Sequence, residues 1–265
     1  MPRRLILVLL LPLLLGQSAP HSDEAVWQHF ESWVAALPAL PPGERVSMAE
    51  RYVAALRQQG LDEAAAREQF SRLNVIRRVS NHRERVYWDG AFKSGGGPDQ
   101  PLRLLQEVVR VTKPGRALDA GMGRGRNTIY LSSLGWDATG YDMSADALKV
   151  AQSYAEAAGV KITTVEALHD TFPFGEEQWD RIICAYCYLA PDEAGWPDVF
   201  WKALKPGGLV VFQSSVSTRR PVHDLAAHWK RFQLLRVEDL DPGMVDDDWR
   251  PSITNPTVKL VARKP

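Results

Sequence analysis

The chain has 265 residues, 45% hydrophobic and 24% charged, with 32 basic side chains against 32 acidic ones. That length supports one sizeable core plus an appendage rather than two full enzymes. Zero net charge lacks the excess of Lys and Arg that a general nucleic-acid binder carries, so no nucleic-acid partner is expected.

The N-terminus stands apart from this average. Arg3 and Arg4 precede an almost wholly aliphatic run at 5–15, and residues 16–19 are small and polar. This is the layout of a secretory signal, with cleavage expected after Ser18 because Pro20 disfavours cleavage after Ala19. The run is shorter than the roughly 20 residues of a bilayer span, so no stable membrane span is expected. The alternatives are an uncleaved anchor or a true start at Met48. By itself the segment, residues 1–18, suggests export to the periplasm or the exterior.

Residues 22–80 predict three helices. The first starts at Ser22, Asp23 and Glu24, places Trp27, Phe30, Val34 and Leu37 on one face, and ends before Pro38. The second opens on a capping box formed by Ser47 and Glu50 and stops at Gly60. The third begins at Asp62 and spaces Phe70, Leu73 and Ile76 helically. The Arg-rich stretch 72–85 reads as a solvated helix face. An aromatic cluster follows, with Tyr87, Trp88 and Phe92 just before a Ser-Gly-Gly-Gly linker at 94–97. It fits either a lid over a pocket or a staple between two parts of the chain. Residues 22–97 are therefore a helical appendage and linker, and 101–265 the main domain.

From Pro101 onward helices and strands alternate. An amphipathic helix carrying Leu102, Leu105, Val108 and Val109 ends at Pro114 and Gly115. The stretch 116–142 then reads as strand, glycine loop, helix, strand. Its first strand ends at Asp119, and Gly121, Gly123 and Gly125 follow at alternate positions. Residues 126–134 have helical spacing, and the second strand closes on Asp142. Ser144 caps a helix over 145–158. Strands are expected at 160–165, 179–186 and 209–212, with a turn at 205–208 before the last. Further helices are expected at 198–204 and 225–229, and two closing strands at 232–237 and 258–262. The fold class is thus α/β, a Rossmann-like, seven-stranded, mostly parallel sheet with helices on both faces and an antiparallel last strand.

Cys184 and Cys187 have C-x-x-C spacing, but they fall in a run that reads as a buried strand. Residues three apart in a strand point to opposite faces, so two buried thiols are expected. No metal site is expected, because such a site needs more ligands than this pair supplies.

Chemistry concentrates at the strand tips, where an open parallel sheet binds its ligands. A glycine loop feeding a helix N-terminus favours an anionic group, and an acid ending the second strand can accept both hydroxyls of a ribose. The dinucleotide fingerprint G-x-G-x-x-G fits poorly. Counting from Gly121 its last slot holds Arg126, and from Gly123 it holds Thr128.

The D-x-G-x-G-x-G pattern of 119–125 resembles the cofactor loop of the class I S-adenosylmethionine-dependent methyltransferases. Its continuation Gly125-Arg126-Asn127-Thr128-Ile129-Tyr130-Leu131 resembles their tellurite- and thiopurine-type small-molecule branch. Gly140-Tyr141-Asp142, Phe172-Pro173-Phe174 with Trp179-Asp180, Leu204-Lys205-Pro206-Gly207-Gly208 and the closing strand also match in order. The resemblance covers 101–265 and leaves 22–100 outside it. It implies S-adenosylmethionine as cofactor. The loop Gly121, Met122, Gly123 and Gly125 would then pack on its methionine part, and Asp119 would help hold the ammonium. Asp142 would take the ribose hydroxyls, Met143 the adenine face, and Ala167 or Leu168 the adenine edge. At that edge the family commonly has an Asp, whereas the acids here are Glu166 and Asp170. Cys184, at the tip of the fourth strand, joins this set.

The implied reaction is methyl transfer to an O, N or S atom of a small-molecule acceptor. His169, Tyr186 and His223 lie near strand tips as candidate bases, and none is assigned. A non-catalytic cofactor-binding or scaffold domain is the alternative, and an NAD(P)-dependent oxidoreductase a weaker one. The family's chemistry suggests the cytoplasm, where the cofactor is made, against the signal-like segment. Oligomeric state has no signature in the sequence.

Overall fold

The computed structural model describes residues 22–40, 44, 46–187, 195–215, 225–241 and 256–265. The signal-like segment at 1–18 and His223 lie outside the described residues.

Three helices form where the caps and apolar spacing place them: α1 (Asp23–Ala36), α2 (Met48–Gln58) and α3 (Glu63–Ile76). Ser22, Ser47 and Asp62 each accept a hydrogen bond from a backbone N–H three residues on, which satisfies a donor the helix leaves open. Phe30, Tyr52 and Leu73 are fully buried in a separate helical core.

A fourth helix, α4 (Asn81–Lys93), occupies the stretch read as an aromatic cluster and the end of the Arg-rich stretch. Ser80 caps it. Gly90 lets it cross the others closely, since a Cβ there would lie 2.9 Å from both Val34 and Met48. The arginines are not a simple solvated face. Arg77 is buried, paired with Glu84 and stacked 4.1 Å over the Tyr87 ring. Arg83 pairs with Glu24 and lies over Trp27, while Arg72 pairs with Asp23.

The remainder builds one sheet from β1 (Arg116–Ala120), β2 (Asp137–Asp142), β3 (Thr163–Glu166), β4 (Trp179–Ala185), β5 (Leu204–Ser215), β6 (Gln233–Leu240) and β7 (Thr257–Arg263). Its order is β3-β2-β1-β4-β5-β7-β6. Six strands run in one direction, and β7 alone is antiparallel, paired between β5 and β6. Helix α5 (Arg103–Val109) precedes β1, and α6 (Arg126–Ser133), α7 (Ala145–Ala157), α8 (Trp196–Ala203) and α9 (Leu225–His228) lie between strands. Alternation along the strands splits the core between two faces. Ala117, Ile183 and Val211 pack with Leu105 and Leu131 of α5 and α6. Leu118, Ile182 and Val210 pack on the other face with Phe200 of α8 and Trp229.

One boundary differs from the sequence reading. Residues 205–208 were expected as a turn, but they extend β5, because Gly207 N donates to Lys264 O (2.8 Å) and Lys264 N to Gly208 O (2.9 Å). The order reverses between β1 and β4, so the tips of β1, β2 and β4 converge on one crevice.

Candidate active site

A cleft of about 240 Å³ lies over those tips. One wall is the glycine loop after β1. Gly121 and Gly123 take φ of 64° and 53°, the left-handed region that glycine enters without steric cost. Their missing side chains also keep the wall thin. A Cβ would meet Cys187 at 3.0 Å from Gly121, and the Phe92 ring at 3.2 Å from Gly123. Met122, between them, packs against Leu148 and Ala151 of α7.

Asp142 closes β2 beside this loop. Its carboxylate accepts from Gly123 N and from Ser144 N, both at 2.9 Å, so the acid sets the loop and the start of α7 together. Burial pushes its pKa up against those two N–H donors, and the nearby Asp89 pushes in the same direction. Met143, Ala167 and Leu168 continue the wall on this side. Gly121, Met122, Gly123, Asp142, Met143, Ala167 and Leu168 thus all border one cleft.

Three other predicted residues do not. Asp119 is buried behind the glycine loop, where it accepts from Thr128 Oγ1 (2.8 Å). Burial raises its pKa to about 6, opposed by Thr128 and the Arg126 charge. Gly125 starts α6 at φ 82°, and a Cβ there would lie 2.9 Å from Ala151, so it serves helix packing. Cys184 is the clear correction. It is fully buried in the core beneath the cleft and disulfide-bonded to Cys187. The expectation of two thiols assumed a strand through both residues, which would hold them about 10 Å apart. Instead β4 stops at Ala185, and Tyr186 turns at φ 56°, bringing the two Cα atoms to 5.5 Å. For a tyrosine that conformation costs about 1–2 kcal/mol.

His169 and Tyr186 both reach the cleft. His169 Nε2 meets the carbonyl of Cys187 (2.5 Å), which can only accept, so Nε2 carries the proton. Nδ1 then accepts from Tyr141 Oη (2.7 Å). Burial lowers the His169 pKa, in keeping with a neutral ring. With both nitrogens engaged, His169 ties β2 to the turn after β4 and is poorly placed as a base.

The second wall comes from the appendage. Glu84, Trp88 and Phe92 of α4 line the cleft, followed by Gly96, Gly97 and Pro98. The 94–97 segment read as a flexible linker is fastened down. Gly96 N donates to Ala91 O (2.8 Å), and Arg124 reaches across to Gly97 O (3.0 Å) and Asp99 (2.7 Å). Asp89 accepts from Ser144 Oγ (2.5 Å), pinning α4 to the start of α7. Of the aromatics expected as a lid or a staple, Trp88 and Phe92 line the cleft and Tyr87 packs against the helical core. Glu84 and Arg124 carried no signal, because their placement depends on contacts distant in sequence.

Residues 117–208 match the family model of the methyltransferase domain. Over 150 residues the chain is 32% identical to a ubiquinone biosynthesis O-methyltransferase of Methylococcus capsulatus, covering 54% of this chain and 61% of that protein. Over 117 residues it is 27% identical to the "Probable S-adenosyl-L-methionine-dependent methyltransferase TehB" of Haemophilus influenzae, covering 42% and 40% respectively. The chain therefore spans about half the length of these curated relatives. The α/β domain is thus similar in sequence to S-adenosylmethionine-dependent methyltransferases. A solved structure from Galdieria sulphuraria, provisionally assigned as a sarcosine dimethylglycine methyltransferase, shares the fold at 14% identity. Its TM-score is 0.50, over 61% of this chain and 83% of that one.

The cofactor of this family is S-adenosylmethionine, and the residues present suit it. The bare backbone of Gly121 and Gly123 borders the cleft and lets Cys187 and Phe92 pack close beside it. Arg124 and Arg126 line the cleft, yet burial still raises the pKa values of Asp142 and of the nearby Asp119 and Asp89, so a further positive charge close to these acids favours their ionised forms. A ligand carrying an ammonium and a sulfonium supplies it.

Proposed function

We propose that this protein transfers a methyl group from S-adenosylmethionine to an O, N or S atom of a small-molecule acceptor. The observation that carries the proposal is the glycine loop facing the buried Asp142 at the reversal point of a 3-2-1-4-5-7-6 sheet. When bound, the cofactor supplies an electrophilic methyl on sulfur. The chain's own work is alignment and exclusion of water. Asp142 accepts the ribose hydroxyls with the oxygen lone pairs that Gly123 and Ser144 leave over. The backbone of 121–123 lies along the methionine part. Asp119 acts from behind the loop, as a buried negative charge that favours the ammonium. Met143, Ala167 and Leu168 contact the base.

Helix α4 closes the opposite side, so Trp88 and Phe92 exclude water from the transfer. No base is assigned, and a nucleophile ionised at neutral pH needs none. We read 22–97 as a cover folded onto the catalytic domain 101–265, and 1–18 as an export signal. N-terminal sequencing of natively expressed protein would show a start at Ala19 if so, and at Met1 or Met48 otherwise. The enzyme itself is tested by incubating purified protein with methyl-labelled cofactor and a panel of phenols, amines and thiols. Label transfer to at least one acceptor is expected. Cofactor binding without transfer to any acceptor would instead favour a non-catalytic binding domain.

A further inference from the structure

The tip of β4 carries a device that the cofactor does not explain. Tyr186 lines the cleft and is one of two non-glycine residues at positive φ among the described residues. Strain of this kind persists only where the surroundings over-determine it. Here a single residue of the neighbouring strand holds Tyr186 at both ends. The main-chain oxygen of Gln213 accepts from Tyr186 N (2.7 Å), and its Nε2 donates to Tyr186 Oη (2.9 Å). Gln213 is 1% exposed and pairs in register with Ala185, so it does not reach the cleft itself. The disulfide closes the same turn from the other side, joining Cys184 to Cys187 around it.

The glycine loop, Asp142 and the 167–168 segment account for the β1, β2 and β3 sides of the cleft. The β4 side, with Tyr186, and the α4 side, with Trp88 and Phe92, are left for whatever meets the cofactor. Each of these sides offers aromatic residues, one at the tip of β4 beside Ala185 and Cys187 and two on α4 beside Glu84. We propose that Tyr186 is the acceptor-side wall of the cleft, that Gln213 is its positioning residue, and that the wall takes a planar aromatic acceptor. The inference rests on the methyltransferase reading of the site. A planar ring can lie against aromatic side chains and present a ring-bound O, N or S atom at a fixed height. Fixing Tyr186 by both backbone and phenol sets that height without using a cleft residue for the purpose.

The test is calorimetry on the full chain saturated with S-adenosylhomocysteine, using 4-nitrocatechol, 4-nitrothiophenol and 1-naphthylamine as probes. At least one probe is expected to bind. Tyr186→Gly removes the ring and relieves the backbone at φ 56°, so it should keep its melting temperature. It should weaken that probe about tenfold and leave S-adenosylhomocysteine affinity within about twofold. Gln213→Leu and Tyr186→Phe should each weaken the probe about threefold, and the double variant no further, because both remove one hydrogen bond.

The inference is overturned if no probe binds to the saturated protein. It is equally overturned if both Tyr186→Gly and Gln213→Leu leave the probe within about twofold, or lower both ligands' affinities in parallel. Failure of wild-type protein to bind S-adenosylhomocysteine would be a different result. It would remove the methyltransferase reading, and this inference with it.

Discussion

The two walls of the cleft are built by different means. The sheet-side wall is largely backbone: glycines at positive φ, N–H groups aimed at Asp142, and a short segment after β3. The α4 wall is mainly side chains, with Trp88 and Phe92 on a helix anchored by Asp89, the Arg124–Asp99 pair and the pairing of buried Arg77 with half-buried Glu84. A backbone wall tolerates little change and suits a ligand that stays the same. A side-chain wall can be rebuilt by substitution and suits the ligand that distinguishes one enzyme from the next.

If that division holds, substitutions should separate cofactor effects from acceptor effects. The largest effect is expected at Asp142. Asp142→Ala leaves the N–H groups of Gly123 and Ser144 without their acceptor and should weaken cofactor binding by about 1–3 kcal/mol. Titration of the variant with S-adenosylmethionine checks this, and unchanged affinity would end the assignment. Gly123→Ala comes next. It forces a side chain to φ 53° and against Phe92, so about 1–2 kcal/mol of stability should be lost, read as a lower melting temperature.

Asp119 links the sheet-side wall to pH. Its folded-state pKa is raised from 3.8 to about 6, so between those values the native protein holds a proton that the unfolded chain has lost. Stability therefore falls as pH rises through that window, by up to about 3 kcal/mol. A cationic ligand beside Asp119 favours the ionised form and lowers the pKa again. Cofactor binding should then release a proton near pH 6 and tighten as pH rises from about 5 to 7. Calorimetry in buffers of different ionisation enthalpy measures the release, and Asp119→Asn should abolish it.

On the α4 side, Trp88→Ala should raise the KM for acceptor about tenfold while cofactor affinity changes little. Equal loss of both would merge the two walls into one site. The smallest effect is expected from Arg72→Ala. It breaks an exposed pair with Asp23 and should cost no more than about 1 kcal/mol, read by denaturant unfolding.

The same division governs what was legible in the sequence. The strand–loop–helix–strand unit at 116–142 could be read because its signals are local: an apolar run, alternating glycines, a helical period and an acid at a strand end. The antiparallel closing pair was equally visible from the short spacing of its strands. Helix α4 was not, since its sequence is charged and carries a glycine in its last turn. Gly90 is explained only by the crossing of α1 and α2, and Trp88 and Phe92 only by a cleft assembled from distant strands. The disulfide was missed for the same reason. Strand geometry forbids it, and only the turn at Tyr186 permits it, held by Gln213 26 residues on from Cys187.

Every role assigned above depends on S-adenosylmethionine binding in the cleft between the glycine loop and Asp142. Titrating the purified full chain with S-adenosylmethionine, then with S-adenosylhomocysteine in competition, tests it directly. One saturable site per chain is expected, with the cofactor displaced by the homocysteine product and bound more weakly by a folded Asp142→Ala variant. Folded wild-type protein that binds neither ligand would contradict it.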